Sequence, residues 1–572
     1  MIRIFAILLG ISGIARAQFS DLAATADGSA VYFATSLRLK QESSLQLPST
    51  QAIYRANQAV VTRVTTPPAF STSFPQSQSG LSVSDDGTVV AYTTTTSCVG
   101  GSSCYLYHPT TYESTVLVNG KSIGGFGGSA RVSPNGKFFM NVGSWSAMGV
   151  TTSYQQWHDL TTGTTVTIPG TTWLQPPAND GRILTLSNGK DLWFWTPQST
   201  EPLSGAIRDQ LAGVDAQLDP TATIASYSSG VGMQTVIHSL NLKTGTDHAI
   251  NTGLPPTSRI SRNSSATLFL FIAANTSGDP MNVYLTDLAA GTTRAVTSWP
   301  EGAVSVALSG DRFAFASSAS GRLVRIDLTS GDTSEWIPAT PIYTLGFNVL
   351  LPGSILPIRG SSLSAITATA GLPLPATLGG VRILAGTDPL PLLSISPSIV
   401  WFQVPFEWSV RIGTSVNVQF ESDSPFNSGG GSIQIVDRKP YFFTDTDGYL
   451  VAAHQDFATL VTPTNPAHPN EIVHLFAIGL GPVTPAVTSG MPTPQAPLSR
   501  LTNPFDCRIG FFDNIQYLET LFSGLAPGLV GIYQVDVRLP ASLPGNSTFL
   551  HCGFPENDAL RHGGSIPVTD QP

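Results

Sequence analysis

Charged side chains are scarce in this chain of 572 residues: Asp, Glu, Lys and Arg make up 11 % of it, against roughly 25 % in an average soluble domain. The formal net charge is −9, so there is no excess of basic residues. We therefore expect neither a nucleic-acid partner nor an anionic membrane surface. Beyond the N-terminus no stretch reaches about eighteen apolar residues, and we expect no membrane span.

Cysteine is equally rare, with four residues in the chain. Cys98 and Cys104 bracket a short loop, whereas Cys507 and Cys552 lie far apart near the end. The even count and these spacings favour two disulfides, one in each pair. A metal site is the weaker alternative, because no histidine or second cysteine pair stands at zinc spacing. We predict no metal and no cofactor.

The N-terminus has the features of an export signal. Arg3 precedes the apolar run "IFAILLGISGI", and Ala15-Arg16-Ala17 has the small-x-small form of a signal-peptidase site. We predict a signal peptide over residues 1–17 and a mature chain from Gln18. No cysteine follows the run to carry a lipid, so the expected localisation is secretion or the periplasm, where disulfides can form.

A turn-centred motif recurs along the first 338 residues. "ARVSPNGKFFMN" is typical of a strand, a tight Ser-Pro-Asn-Gly turn and a second strand. An "Asp/Asn-Leu-x-x-Gly" element marks a second hairpin in several copies, so each repeat predicts four short antiparallel strands. A period of about 40–50 residues with four strands is typical of propeller blades, whose apolar faces must stack against two neighbours. The seven copies begin at Leu22, Leu81, Ala130, Pro176, Ala216, Ile260 and Ser305.

The turn Ser133-Pro134-Asn135-Gly136-Lys137 resembles the Ser-Pro-Asp-Gly-Lys blades of exported bacterial propellers of the TolB/WD40-like (PD40) type. This resemblance implies a seven-bladed β-propeller over residues 18–338. Every copy begins with the same first strand, so we expect no strand to be exchanged between the two ends. The copies at Ala216 and Ile260 lack the turn glycine.

A longer repeat follows Trp336. "LPGSILPIRGSSLS" is similar to "HPNEIVHLFAIGLGPV", with an offset of 117 residues. These segments resemble the paired IPT/TIG-like module of exported acidobacterial proteins, which have no established activity. The resemblance implies two tandem immunoglobulin-like β-sandwiches, at 339–445 and at 446–572 including a C-terminal tail, in an all-β chain. We expect Cys507 in a strand of the second sandwich and Cys552 in its final strand.

Three short motifs match catalytic or metal patterns only in part. Gly120–Gly124 fits Gly-x-Ser-x-Gly, but no helical pattern follows, so we favour a loop over a nucleophile. Asp85–Thr88 and Asp445–Gly448 are interpreted as turns rather than an Asp-box or a calcium loop, because other motif positions are missing. The histidines are scattered. We name no catalytic residue and expect no enzyme.

Most tryptophans are expected to pack between sheets. In "LWFWTP" the strand alternation places Trp193 and Trp195 on one face, and we select this pair as a ligand-binding candidate for a sugar or a peptide. We expect an exported non-catalytic binding or scaffold protein. Its propeller would present a surface to an extracellular glycan or protein, and its sandwiches would serve as a spacer or attachment module. The alternatives are a purely structural surface component and a glycan hydrolase or lyase at the propeller mouth, which requires two converging carboxylates.

Overall fold

The computed structural model contains two compact units. We call Arg16–Thr340 together with Ser424–Phe426 the N-terminal unit, and Pro341–Asp423 together with Asn427–Pro572 the C-terminal unit. The predicted signal peptide and the Cys98–Cys104 pair lie outside the described residues. The structure describes residues 19–40, 51–58, 60–65, 76–96, 111–147, 150–170, 172–187, 191–211, 214, 216–230, 235–255, 260–276, 278–427, 430–510, 515–543 and 545–569.

Antiparallel sheets dominate the N-terminal unit, and seven of them, each of three or four strands, lie within the described residues. Sheet 1 comprises β1 (Ser20–Ala24), β2 (Val31–Thr35), β4 (Ala52–Asn57) and β5 (Val60–Arg63), with the short β3 (Arg38–Leu39) between β2 and β4. Sheet 2 comprises β6 (Gln76–Val83), β7 (Val89–Thr96), β8 (Thr111–Val118) and β9 (Lys121–Gly127). Sheet 3 comprises β10 (Ser129–Val132), β11 (Phe138–Ala147), β12 (Val150–Asp159) and β13 (Thr164–Thr167).

The remaining sheets of this unit follow in chain order. Sheet 4 comprises β14 (Ile183–Ser187), β15 (Asp191–Trp195) and β16 (Thr200–Pro202), and the helix α1 (Gly205–Leu211) follows it. Sheet 5 comprises β17 (Gln217–Leu218), β18 (Ile224–Ser229), β19 (Val236–Asn241) and β20 (Asp247–Asn251). Sheet 6 comprises β21 (Ser261–Arg262), β22 (Leu268–Ala273), β23 (Asn282–Asp287) and β24 (Thr292–Ala295). Sheet 7 comprises β25 (Ala303–Ser309), β26 (Phe313–Ser318), β27 (Leu323–Asp327) and β28 (Thr333–Ile337).

A polar side chain fixes the first turn of most of these sheets. Its oxygen accepts the N–H of the residue five positions later, at 2.6–3.0 Å, in Thr25, Ser84, Ser133, Asp219 and Asn263. In the two copies that lack the turn glycine, Ala222 and Ala266 adopt positive φ angles of 54° and 53°. Both copies nevertheless form four-stranded sheets, because the capping side chain supports the turn.

The first turns also join neighbouring sheets. Asp85 accepts the N–H of Ala26 on its carbonyl at 2.8 Å and donates its own N–H to the Pro134 carbonyl at 2.7 Å. The last sheet contacts the residue before the first, since Ser317 Oγ donates to the Phe19 carbonyl at 2.7 Å. Within the described residues, no strand of sheet 1 pairs with a strand of sheet 7.

Sheet 4 departs from the predicted four strands, because the described residues of the fourth repeat form no inner strand. Pro176 and Pro177 occupy the corresponding segment, and proline has no N–H to contribute to a ladder. The side-chain amide of Gln175 takes the place of a strand neighbour. Its Nε2 donates to the Leu184 carbonyl at 2.9 Å, and its Oε1 accepts the Leu184 N–H at 3.3 Å.

Replacing Gly28 with alanine should destabilise the contact between sheets 1 and 7. A Cβ at Gly28, where φ is +71°, would lie 2.5 Å from a ring carbon of Phe313. We expect a loss of about 2–3 kcal/mol in the free energy of unfolding from strain and overpacking. The control is Gly163→Ala, where φ is +72° and no atom lies within 4 Å, with an expected loss of about 1 kcal/mol. Equal losses in urea titrations would show that the ring of Phe313 imposes no steric limit.

The segment Ser424–Phe426 completes the core of the N-terminal unit, although it lies far beyond the last repeat in the sequence. The Phe426 side chain is 2 % exposed. Its ring centroid lies 5.4–6.3 Å from those of Phe19, Phe33 and Tyr54. No repeat or motif in the sequence predicts this contact.

The C-terminal unit contains four sheets within the described residues, arranged as two pairs that each enclose a hydrophobic cluster. One pair is formed by β29 (Ile342–Thr344), β30 (Val349–Leu350), β31 (Ile355–Ser361), β32 (Ala368–Thr369), β33 (Arg382–Ala385), β34 (Asp388–Pro389), β35 (Leu392–Ile395), β36 (Ile399–Gln403), β37 (Ser415–Glu421) and β39 (Gly430–Ile435); β38 is Phe426–Asn427. The other is formed by β40 (Tyr441–Phe442), β41 (Ala452–Ala453), β42 (Ile472–Ile478), β43 (Val483–Thr484), β44 (Arg500–Leu501), β45 (Asp506–Ile509), β46 (Gln516–Tyr517), β47 (Glu519–Leu525), β48 (Tyr533–Arg538), β49 (Ser547–Gly553) and β50 (His562–Pro567). Short 3-10 helices span Phe406–Arg411 and Asp558–Leu560.

Strand β42 is buried on both faces, which joins the two pairs of sheets. Val473 and Leu475 point into one cluster, whereas Phe476 and Ile478 pack in the other. The alternation of a strand sends successive side chains to opposite faces, so an apolar run fills two cores at once. No helix in the described part of the chain is long and apolar enough to cross a membrane.

The predicted disulfide between Cys507 and Cys552 is present. The two residues face each other in the ladder of β45 and β49, and both are buried. The predicted position of Cys552 in the final strand is wrong, because β50 follows and pairs with β49. The glycine-rich segment His562–Pro567 lacks the strong apolar pattern that would have marked it as a strand.

Candidate functional site

A polar cavity of about 500 Å³ lies in the N-terminal unit. The inner strands of sheets 1, 2, 3, 5, 6 and 7 line it. Among the described residues, the charged ones that line it are Asp21, Arg131 and Arg262, and their formal charges sum to +1 in a chain of net charge −9. The cavity is therefore a locally positive site that favours an anionic ligand.

Three neighbouring inner strands bulge where they line this cavity. The ladder register shifts between Ser20 and Ala23 in β1, between Ser79 and Ser82 in β6, and between Ala303 and Ser305 in β25. Bulges are frequent next to functional sites, because they change the direction of a side chain without ending the sheet. Here they bring polar backbone and side-chain groups to the cavity wall.

The bulge in β6 holds two charged side chains. Gly80, at φ +68°, donates its N–H to Asp21 Oδ2 at 3.3 Å and accepts Arg131 Nη1 on its carbonyl at 3.1 Å. Asp21 itself adopts a φ of +51°, which is unusual for a residue with a side chain and recurs at functional positions. One peptide segment thus positions both a carboxylate and a guanidinium at the cavity.

Arg262 is positioned by neutral acceptors on the neighbouring sheet. Its Nη1 donates to the Gln217 carbonyl at 3.1 Å and to Ser226 Oγ at 2.7 Å, and its Nη2 donates to the Leu218 carbonyl. Neutral acceptors orient a guanidinium but leave its positive charge in place. These bonds hold Arg262 at the wall of the cavity that it lines.

Serine hydroxyls join adjacent inner strands around the cavity. Each accepts a backbone N–H from the next inner strand and retains its own O–H hydrogen for a further bond. Such hydroxyls can hydrogen-bond a polar ligand without adding charge. The bonds run from Val132 to Ser82 at 3.0 Å, from Leu308 to Ser261 at 2.9 Å and from Leu22 to Ser305 at 3.2 Å.

The predicted ligand-binding pair lies elsewhere, in β15. Trp195 is 6 % exposed and packs edge-on against Trp157, with ring centroids 6.4 Å apart. Trp193 is half-buried, and its Nε1 is buried without a hydrogen-bond partner among the described residues. Neither ring lines the cavity. The ligand-binding role of the pair stays a prediction, and we place the candidate site in the cavity.

The three short motifs have structural roles among the described residues. Gly120–Gly124 lies at the β8–β9 hairpin and continues into a strand rather than forming a loop. Asp85–Thr88 is the first turn of sheet 2. Asp445 Oδ1 accepts the N–H groups of Asp447 and Tyr449, so Asp445–Gly448 is a turn. The described residues contain no group of three potential ligands that could hold a metal ion.

Sequence reasoning missed a hydrogen-bonded chain of three side chains in sheet 5. Ser229 Oγ lies 2.8 Å from His238 Nε2, and His238 Nδ1 lies 2.7 Å from Asp247 Oδ2. The residues come from β18, β19 and β20, and only the ladder register brings them together. No local motif marks them. Their equal spacing of nine residues becomes informative only once the two hairpins are known.

No family model and no curated protein matches this chain. Among solved structures it is similar to TolB from Acinetobacter baumannii, at 13 % identity and a TM-score of 0.30, over 53 % of this chain and 62 % of TolB. It is also similar to the β-propeller domain of the Trilobed protease from Pyrococcus furiosus, at 10 % identity and a TM-score of 0.32, over 57 % of this chain and 99 % of that domain.

A third similar structure is prolyl oligopeptidase B from Galerina marginata. The identity is 12 % and the TM-score is 0.37, over 62 % of this chain and 57 % of that protein. This chain thus spans less than two thirds of the length of TolB and of the oligopeptidase. The likeness concerns the propeller-like all-β fold alone and carries no argument about activity or ligand.

Proposed function

We propose that this chain is an exported binding protein whose cavity in the N-terminal unit takes a carboxylate-bearing extracellular ligand, either an acidic glycan or a peptide. In this proposal the seven sheets are the blades of a TolB-like propeller. The two pairs of sheets in the C-terminal unit act as immunoglobulin-like (IPT/TIG-like) spacer or attachment domains. The contact between Ser317 of sheet 7 and Phe19 supports the propeller arrangement.

The observation that carries the proposal is the pair of arginines in the cavity. Arg131 and Arg262 are half-buried and come from sheets 3 and 6. A guanidinium pairs well with a carboxylate, and partial exclusion of water strengthens that interaction. Asp21 and the inner-strand hydroxyls add acceptors and donors for the neutral parts of a ligand.

A glycan hydrolase or lyase in the cavity is the less supported alternative. Hydrolysis by the usual mechanism needs two carboxyl groups about 5–10 Å apart. Asp21 is the one acidic residue among the described residues that line the cavity. The charge of the lining suits retention of an anionic ligand better than general acid–base catalysis by a carboxylate pair.

Replacing Arg131 with glutamine should weaken binding of an acidic ligand roughly 10–100-fold, because a charge-assisted hydrogen bond contributes about 1.5–3 kcal/mol. The mature protein would first be screened on an array of acidic and neutral oligosaccharides and peptides. Calorimetry with the best acidic oligosaccharide and the best acidic peptide would then measure Kd at two salt concentrations. The Arg262→Gln variant should show a similar loss.

The matched control is Arg208→Gln. Arg208 is exposed on helix α1 and interacts with Asp191 and Asp209, so its removal should leave Kd unchanged. Binding to the oligosaccharides or to the peptides of the array shows whether the ligand is an acidic glycan or a peptide. Failure to bind any acidic probe, or equal Kd values for the wild type and both cavity variants, would refute the proposal.

A further inference from the structure

The Ser229–His238–Asp247 chain in sheet 5 has the connectivity of a nucleophile, a base and an orienting carboxylate. A carboxylate can only accept, so Asp247 Oδ2, 2.7 Å from Nδ1, requires the hydrogen to be on that nitrogen. In the neutral imidazole Nε2 is then the acceptor. Ser229 Oγ lies 2.8 Å from it, within reach for proton transfer.

Three other histidines with partners on both ring nitrogens lack this arrangement. His454 and His474 each have a carboxylate at Nδ1, but backbone carbonyls lie 3.2 and 3.3 Å from Nε2. A carbonyl has no proton to give, so these rings have no nucleophile to activate. His158 contacts an amide oxygen and a threonine hydroxyl, and burial lowers its pKa to about 4. None of the three combines a hydroxyl with a carboxylate.

The surroundings hold the imidazole of His238 in place and leave it in partial contact with solvent. The Tyr227 ring stacks on it with centroids 4.4 Å apart and an interplanar angle of 3°. The His238 and Asp247 side chains are 15 % and 22 % exposed. Burial raises the pKa of Tyr227, and the charge of Asp247 raises it further, so the phenol stays neutral beside the ring.

One carboxylate oxygen of Asp247 is unsatisfied within the described part of the chain. Its Oδ1 is buried and has no hydrogen-bond partner among the described residues. An unsatisfied buried acceptor costs about 1–3 kcal/mol, more when charged. A carboxylate whose main partner is the imidazole is, however, well suited to stabilise the imidazolium that forms during catalysis.

We propose that Ser229, His238 and Asp247 form an acyl-transfer site that hydrolyses carboxylic esters. None of the three lines the cavity, so this activity is separate from the proposed ligand binding. Gly230 follows the serine directly, outside the strand and at φ +77°. In acyl-transfer sites the N–H after the nucleophile commonly helps to stabilise the oxyanion.

The reaction needs only water as a second substrate. Ser229 Oγ attacks the ester carbonyl carbon, its proton passes to His238 Nε2, and the bond to the alkoxy oxygen breaks as that proton moves to the leaving alcohol. Water then attacks the acyl-serine and gives a proton to Nε2. The acyl–Oγ bond breaks, Oγ regains the proton, and the carboxylic acid leaves. Asp247 acts by positioning the imidazole and does not touch the substrate.

The test uses the mature protein with p-nitrophenyl acetate and a fluorophosphonate probe. We expect hydrolysis above the buffer rate and one covalent adduct, located on Ser229 by peptide mass spectrometry. Ser229→Ala should lose the adduct and about 10³-fold or more of the rate, and His238→Gln should lose a similar rate. Asp247→Asn should lower kcat with little change in KM, which distinguishes positioning from substrate binding.

The matched control is Ser228→Ala, at the exposed neighbouring residue of the same strand, and it should keep both rate and adduct. Circular dichroism checks that each variant is folded. No adduct on Ser229 in the wild type, or hydrolysis that survives Ser229→Ala, would overturn the proposal. Ligand binding is measured by calorimetry on the same wild-type preparation, so failure of either proposal is recognised independently of the other.

Discussion

Replacing Phe426 with alanine is expected to lower the free energy of unfolding of the N-terminal unit by about 3–5 kcal/mol. The ring is 2 % exposed and contacts three aromatic rings of the first sheet region. Its removal leaves a cavity among Phe19, Phe33 and Tyr54, which rigid β-strands can close only in part. The loss therefore includes the buried area and the cavity.

Tryptophan fluorescence during denaturation is a suitable measurement, because seven of the nine tryptophans lie before residue 341. The control is Tyr112→Ala, at a side chain that is 51 % exposed, with an expected change within about 0.5 kcal/mol. A loss below about 1 kcal/mol for Phe426→Ala would mean that Ser424–Phe426 contributes little to this unit in solution.

Removing the Cys507–Cys552 disulfide should cost about 3–4 kcal/mol in the stability of the C-terminal unit. The bridge closes a loop with a sequence separation of 45, and the chain-entropy estimate for such a loop is of this size. It also ties β45 to β49 in the middle of the ladder. The variant Cys507→Ala/Cys552→Ala should unfold at a lower denaturant concentration than the wild type.

Reduction separates the cross-link from the packing of the two buried side chains. Wild type unfolded in the presence of a reductant should lose nearly as much stability as the double variant. The double variant itself should respond little to the reductant in this unit. If the oxidised wild type and the double variant unfolded at the same midpoint, the loop-entropy argument for this bridge would be wrong.

The turns of the repeats could be predicted from the sequence, because each turn depends on residues that are close together in the chain. Local hydrogen bonds of Ser133 and Asn135 hold the predicted turn. The two copies without glycine were harder to judge from the sequence. Ala222 and Ala266 adopt left-handed backbone angles only because Asp219 and Asn263 cap their turns.

Contacts between residues far apart in the sequence could not be predicted in the same way. The amide of Gln175 replaces a strand in sheet 4, and Phe426 fills an aromatic cluster more than 80 residues after the last repeat strand. Trp195 is an aromatic residue of the kind that can stack on a ligand, but its side chain is buried against Trp157. Burial of a particular ring depends on which sheet packs on it, and periodicity does not specify that.

The sequence alone determined the all-β character of this protein, its repeat spacing, its turns and the pairing of Cys507 with Cys552, because local propensity and period follow directly from residue order. Only the tertiary structure decided which groups face the cavity and which residues meet across strands. Arg131 and Arg262 lie 131 residues apart yet line one cavity, and Ser229, His238 and Asp247 meet through ladder register. These residues come together because of how neighbouring strands and sheets align, and the order of residues in the sequence does not specify that alignment.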